Sequence, residues 1–134
     1  MSSLAPERAE ELLAAAGAAA ERAYAPYSRF RVGAAVLDDE GRVHAGVNVE
    51  NASYPLSVCA ERSAVQRAAG EGARRLVAVA VVSPDSAPLW PCGGCRQVLH
   101  EFGIETVIAD GPDGPVSRPL AELLPDAFGP DDLP

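Results

Sequence analysis

Leu76-Val77-Ala78-Val79-Ala80-Val81-Val82 is an unbroken apolar run of strand length. Continuous apolarity, without polar alternation, is what a strand buried on both faces of a sheet requires, so this segment reads as the central strand. Its neighbours supply the covering layers. Before it, Val58 to Ala69 places Ala60, Ala64, Val65 and Ala68 on one side of a helix ended by Gly70. After it, Ser83 to Pro91 carries Pro84, Pro88 and Pro91 and must be loop, and Gly94 to Phe102 reads as a helix closed by Gly103.

Farther out, Arg31 to Leu37 and Arg42 to Val49 are rich in Val and Ala and flank Asp38-Asp39-Glu40-Gly41, the pattern of a hairpin with Gly in its turn. Glu7 to Ala25 reads as a helix, with Ala9, Leu12, Leu13, Ala16, Ala20 and Ala23 on one face and Pro26 stopping it. Asn51 to Ser57, holding Pro55, reads as loop. Beyond the third helix come a fourth strand at Glu105 to Ala109, a turn at Gly111-Pro112-Asp113-Gly114-Pro115, and a short fifth strand at Val116 to Arg118. A last short helix, Leu120 to Leu124, precedes a Pro-rich acidic tail. The order αββαβαβ(β)α implies one α/β domain over residues 1–134: a sheet of about five strands with helices on both faces.

Composition narrows the function. The chain has 134 residues, 48% of them hydrophobic and 22% charged, which suits a soluble globular domain that buries roughly two-thirds of its unfolded surface. Such a chain needs no metal merely to stay folded. The formal net charge is −8, from 19 Asp plus Glu against 11 Lys plus Arg, and every basic residue is Arg. An acidic surface argues against a polynucleotide partner, and the absence of Lys excludes a lysine Schiff base and a Walker-type phosphate loop. No apolar run approaches a membrane span. The start, Met1-Ser2-Ser3-Leu4, lacks a signal-peptide pattern, so a cytoplasmic, soluble protein is expected.

Three cysteines cannot close a disulfide framework, and free thiols fit a reducing compartment. All three fall at helix starts: Cys59 opens the second helix, and Cys92 and Cys95 straddle the first turn of the third. A helix N-terminus favours thiolate over thiol, and sulfurs at i and i+3 can reach one ion. Taken alone, Cys59 also reads as a small buried hydrophobe, and Cys92-Gly93-Gly94-Cys95 as a redox pair or half of a structural zinc site. A four-cysteine site lacks its fourth cysteine, and His44 and His100 show no paired metal spacing. Three thiolates with no fourth protein ligand describe a catalytic zinc site with a position left for water. Glu61 can serve as its proton acceptor if Cys59 lies at the helix boundary, because residues i and i+2 face apart within a helix. Asn48 and Glu50, also i and i+2 but at the end of a strand, share one face.

These motifs closely resemble the cytidine deaminase family of small free-nucleoside enzymes. Cys59-Ala60-Glu61-Arg62 and Pro91-Cys92-Gly93-Gly94-Cys95-Arg96-Gln97 carry the resemblance. It extends through Ala25 to Phe30, Val32 to Ala35, Asn48 to Tyr54 and Leu124 to Phe128. The resemblance implies a cytidine deaminase-like three-layer α/β/α fold, one Zn2+ per subunit on Cys59, Cys92 and Cys95, and Glu61 as proton shuttle. It implies hydrolysis of cytidine and 2'-deoxycytidine at C4, by zinc-activated water, to uridine, 2'-deoxyuridine and ammonia. It further implies Arg62 as a hydrogen-bond donor to the cysteine ligands, Asn48 and Glu50 as a ribose clamp, Phe30 lining the base pocket and Ala60 offering backbone groups to the base. Phe128 is implied to reach a neighbour's substrate in a homotetramer, with Tyr54 near that interface, and the role in the cell to be pyrimidine salvage. Val47 and Pro55 stand where many relatives have Cys and Gly; neither is a proposed ligand. Rival readings are a deaminase of a cytosine-containing antibiotic of the blasticidin S type, which lacks the Asn48-Val49-Glu50-Asn51 pattern, a non-catalytic zinc-stabilised interaction module, and a thiol oxidoreductase.

Overall fold

Leu76–Val82 forms strand β3, the middle of a five-stranded sheet, in the computed structural model, which describes residues 4–134. Met1 to Ser3, on which part of the signal-peptide expectation rests, lie outside the described residues. The strand order is β2-β1-β3-β4-β5, with β1 at Gly33–Asp38, β2 at Val43–Val47, β4 at Thr106–Gly111 and β5 at Gly114–Pro119. Helices α1 (Pro6–Ala20), α2 (Ala60–Gly70), α3 (Gly93–Glu101) and α4 (Leu120–Leu123) cover the sheet.

Strand alternation sorts the core into two layers. Ala34, Val36, Val79, Val81 and Val107 face one way and pack with Ala60, Ala64 and Val65 of α2 and Leu99 of α3. Ala35, Leu37, Ala78, Ala80 and Ile108 face the other way and meet Ala9, Leu12 and Ala16 of α1. The result is the expected three-layer α/β/α sandwich. Small residues let the layers close. A Cβ at Gly33 would lie 1.9 Å from the Ala16 carbonyl oxygen, and one at Gly46 would lie 2.3 Å from the Ala64 nitrogen, so α1 rests on β1 and α2 on β2 by main-chain contact.

The pairing directions decide where the helices begin. β1 is antiparallel to both β2 and β3, and β3 is parallel to β4, so β2, β3 and β4 all run the same way. α2 follows β2 and α3 follows β3, hence both helices start at the same edge of the sheet. Carboxyl ends of strands topped by helix N-termini form the usual ligand-binding edge of an α/β sheet.

Several boundaries differ from the sequence expectation, for tertiary reasons. α1 stops at Ala20, not Ala25, because Tyr24 leaves the helix to pair in parallel with Val49: the Tyr24 N–H donates to the Asn48 carbonyl at 3.0 Å, and the Glu50 N–H to the Tyr24 carbonyl at 2.9 Å. The residue before Pro26 also disfavours helix. β2 ends at Val47 because Asn48 turns its N–H to the Val32 carbonyl, and Val49 exchanges hydrogen bonds with Val58. That second exchange keeps Val58 out of α2. The loop after β2 contains one 3-10 turn, Tyr54–Leu56, and β5 is longer than expected because it zips along β4 from Thr106 opposite Pro119 to Gly111 opposite Gly114.

Candidate active site and metal centre

Cys59 is the N-cap of α2 and Cys92 the N-cap of α3, both with extended backbone angles, while Cys95 is the third residue of α3. The two helices touch, and their shared starting edge brings the three sulfurs within 4.8 Å of one another. Cys95 is buried, Cys59 half-buried and Cys92 exposed, so the cluster opens outward on the Cys92 side. The N-cap geometry of Cys59 answers the i, i+2 objection. Because Cys59 is outside the helical conformation, Glu61 in the first turn of α2 is close enough to feel its charge.

Electrostatics separates the members of this group. A hydrogen bond from Cys95 holds the Cys59 thiol down to about 6 against the opposing effect of burial, with Cys92 and the positive charge of half-buried Arg62 helping. Cys95, the donor, is pushed up correspondingly. Glu61 is buried, and burial raises its carboxyl to about 7, with the Cys59 charge adding and its own main-chain N–H opposing.

Around this centre, Ala60 is fully buried between Cys59 and Glu61. Asn48 is tied to the segment carrying Phe30: its Nδ2 donates to the Phe30 carbonyl at 2.8 Å, and its Oδ1 accepts from the Val32 N–H at 2.9 Å. Phe30 is half-buried against the larger core layer. Glu50 accepts from the main-chain N–H groups of Tyr27 and Ser28, at 3.0 and 3.1 Å, and from the Ser28 hydroxyl, and the Ser28 bonds lead in holding its carboxyl below the usual range. Tyr54 is exposed with its ring 5.9 Å from that of Tyr27, and Phe128 is 60% exposed.

The family model described as the cytidine and deoxycytidylate deaminase zinc-binding region matches residues 6–110. The chain belongs to this family. A cytidine deaminase of Mycobacterium tuberculosis is 54% identical over 116 residues, covering 87% of this chain and 86% of its own. The crystal structure of cytidine deaminase from Burkholderia pseudomallei superposes with a TM-score of 0.82 at 46% identity, over 89% of this chain and 98% of that one. The crystal structure of the Mycobacterium tuberculosis enzyme gives 0.79 at 51% identity, over 90% and 96%. The cytidine deaminase fold expected from the motifs is therefore the fold observed, and neither the antibiotic-deaminase reading nor the non-catalytic one is favoured.

The family's cofactor is zinc, and the donors present suit it. Thiolates bind zinc at about 2.3 Å, which sets tetrahedral sulfurs roughly 3.8 Å apart, compatible with a cluster whose sulfurs lie within 4.8 Å of one another. Among the described residues, Cys59, Cys92 and Cys95 form the one group of three or more His, Cys, Asp or Glu side chains able to hold a metal ion, and no helix is long and apolar enough to cross a membrane.

Sequence reasoning passed over Tyr27 and Ser28, whose donors fix Glu50, and over any task for Arg96 and Gln97. The Pro26-Tyr27-Ser28 turn was the available clue to the first pair. Little local announces the second: Arg96 has one near partner, the Pro91 carbonyl, but its bond to Leu123 and that of Gln97 to Phe128 go to main-chain carbonyls far along the chain.

Proposed function

We propose that the protein hydrolyses cytidine and 2'-deoxycytidine to uridine and 2'-deoxyuridine with release of ammonia, as one zinc-dependent nucleoside deaminase domain over residues 1–134. The observation that carries this reading is the convergence of three thiols from two helix N-termini beside the buried carboxyl of Glu61. Cys59, Cys92 and Cys95 would hold one zinc ion per subunit, a three-thiolate set that would leave room for water. When bound, zinc supplies the Lewis acidity that makes water a competent nucleophile near neutral pH.

Glu61 accepts a proton from the water as its oxygen bonds to C4, and delivers that proton to N3 of the ring. C4 becomes tetrahedral, bearing hydroxyl and amine together. Glu61 then takes the hydroxyl proton and passes it to the amine nitrogen. The C4–N bond breaks, its electron pair leaves on nitrogen as ammonia, and the C4 carbonyl of uracil remains. Burial raises the Glu61 carboxyl, which favours its holding a proton between taking it and passing it on. Three thiolates would leave the centre with a formal charge of about −1, which weakens a Lewis acid. The two helix N-termini and Arg62, donating to ligand sulfur, draw that charge away.

Asn48 and Glu50 take the sugar hydroxyls, Phe30 lines the base pocket, and Ala60 offers main-chain groups to the base. Phe128 comes from a neighbouring subunit of a homotetramer, with Tyr54 beside the same interface. Exposed Tyr24, Tyr27, Tyr54, Leu56 and Phe128 support an assembly that covers them. The acidic, Lys-free chain suits a small nucleoside over nucleic acid or membrane, and a cytoplasmic enzyme of pyrimidine salvage fits both.

Ammonia release from cytidine, deoxycytidine and blasticidin S by purified protein of known zinc content tests the proposal. Release from both nucleosides is expected, abolished by a chelator and restored by zinc. No release from either nucleoside at full zinc occupancy would overturn it.

A further inference from the structure

α3, which begins at the Cys92–Cys95 turn, also holds the C-terminal segment. Arg96 donates from Nε to the Pro91 carbonyl and from Nη1 to the Leu123 carbonyl, each at 2.7 Å. Gln97 donates from Nε2 to the carbonyl of Phe128 at 2.7 Å. His100 lies three residues on, on the same side of the helix, and packs so closely on Gly129 that a Cβ there would lie 2.4 Å from its Nε2. The Gly129 N–H donates to Asp132 Oδ2 at 2.8 Å, closing the 3-10 turn Pro130–Asp132.

Between these ties the segment is loosely supported. A cavity of about 830 Å³ lies against it, with His100, Leu120, Leu124, Ala127 and Gly129 among its lining residues. Asp126 has φ of 54°, the left-handed region, and redirects the chain two residues before Phe128. Phe128 therefore has its main chain held at one carbonyl while its ring projects into solvent.

We propose that Gln97 is a positioning residue: by holding the Phe128 carbonyl it sets where the Phe128 ring projects, and thereby tunes nucleoside affinity without touching the substrate. This rests on the reading of Phe128 as a substrate-side ring. A ring already fixed in direction loses less conformational freedom when substrate binds, so the hydrogen bond acts on affinity. A contact remote from the reacting atoms is made equally in ground and transition states, which moves KM and leaves kcat.

The test uses the zinc-loaded enzyme. Gln97→Glu removes the donor and puts an acceptor against the carbonyl, whereas Gln97→Lys keeps a donor. Gln97 is exposed, so both variants are expected to fold. Gln97→Glu should raise KM for cytidine about three- to tenfold, with kcat and zinc content essentially unchanged. Amide hydrogen exchange should quicken at Gly129 to Asp132 and stay unchanged in β3, and Gln97→Lys should restore both KM and exchange. Phe128→Ala should raise KM at least as far, and adding Gln97→Glu to it should raise KM no further. Unchanged KM or unchanged exchange in Gln97→Glu, or additive effects in the double variant, would overturn the role of Gln97. A Phe128→Ala variant with unchanged KM would bring down the reading of Phe128 itself, and the role of Gln97 with it.

Discussion

Glu61 and Asp38 are both buried carboxyls, set at opposite ends of the layer formed by α2 and the sheet, and their surroundings drive them in opposite directions. Glu61 sits at the start of α2, where burial lifts it to about 7 and its own main-chain N–H is the one donor that opposes. Asp38 sits at the far end of β1, where burial alone would lift it too. There Oδ1 accepts from the Glu40 and Arg42 N–H groups at 2.9 Å each, while Oδ2 lies 2.9 Å from Arg42 Nε and 2.9 Å from His44 Nε2. Together these outweigh burial and hold Asp38 well below the usual carboxylate range. His44 Nδ1 in turn lies 2.7 Å from Glu71, the C-cap of α2. Two carboxyls of similarly low exposure thus end up with opposite shifts, one raised and one held charged. The number of donors aimed at the oxygens makes the difference.

The sharpest way to break this contrast is Glu61→Gln. Turnover should fall about 10²- to 10⁴-fold with zinc retained, and the melting temperature should not drop, because the substitution removes a buried carboxyl that little else supports. A parallel loss of zinc or of stability would mean that Glu61 braces the fold. Asp38→Asn should do the reverse, lowering stability by about 3 kcal/mol in urea titration while the folded enzyme keeps its kcat. The pH dependence sharpens the difference. Asp38 has a folded pKa below its unfolded value, so its contribution is present above about pH 4 and is lost as pH falls through the depressed folded value. The stability gap between the native protein and Asp38→Asn should therefore narrow below about pH 4. Glu71→Gln is the mildest of these changes. Glu71 is half exposed, and its removal should cost about 0.5 kcal/mol, shrinking further in high salt.

The two ends were unequally legible in the sequence. The metal end is written in short spacings: Cys92 and Cys95 lie one turn apart, Cys59 precedes Glu61 by two residues, and each group is followed by a helical pattern. Local chemistry sufficed there, and the apolar run of β3 sufficed for the sheet. The brace is non-local, since His44 reaches Glu71 across 27 residues, and in the sequence His44 stood out merely for lacking metal spacing. The same holds for the boundaries. Nothing within Glu7 to Ala25 says that Tyr24 will leave the helix, because its partner Val49 lies beyond two strands. Asn48 lies past the end of β2, and its ties to Phe30 and Val32 depend on how β1 docks beside it.

Gly46 gives the metal centre an unexpected use as a ruler. Because α2 rests on β2 with no side chain between them at that point, the height of the helix above the sheet is set by a missing methyl group. Any larger residue at position 46 would jack up α2 and carry Cys59 away from the two sulfurs of α3. The loss would be read first in the ion that spans the gap: the sheet keeps its hydrogen bonds, and the grip on zinc slackens.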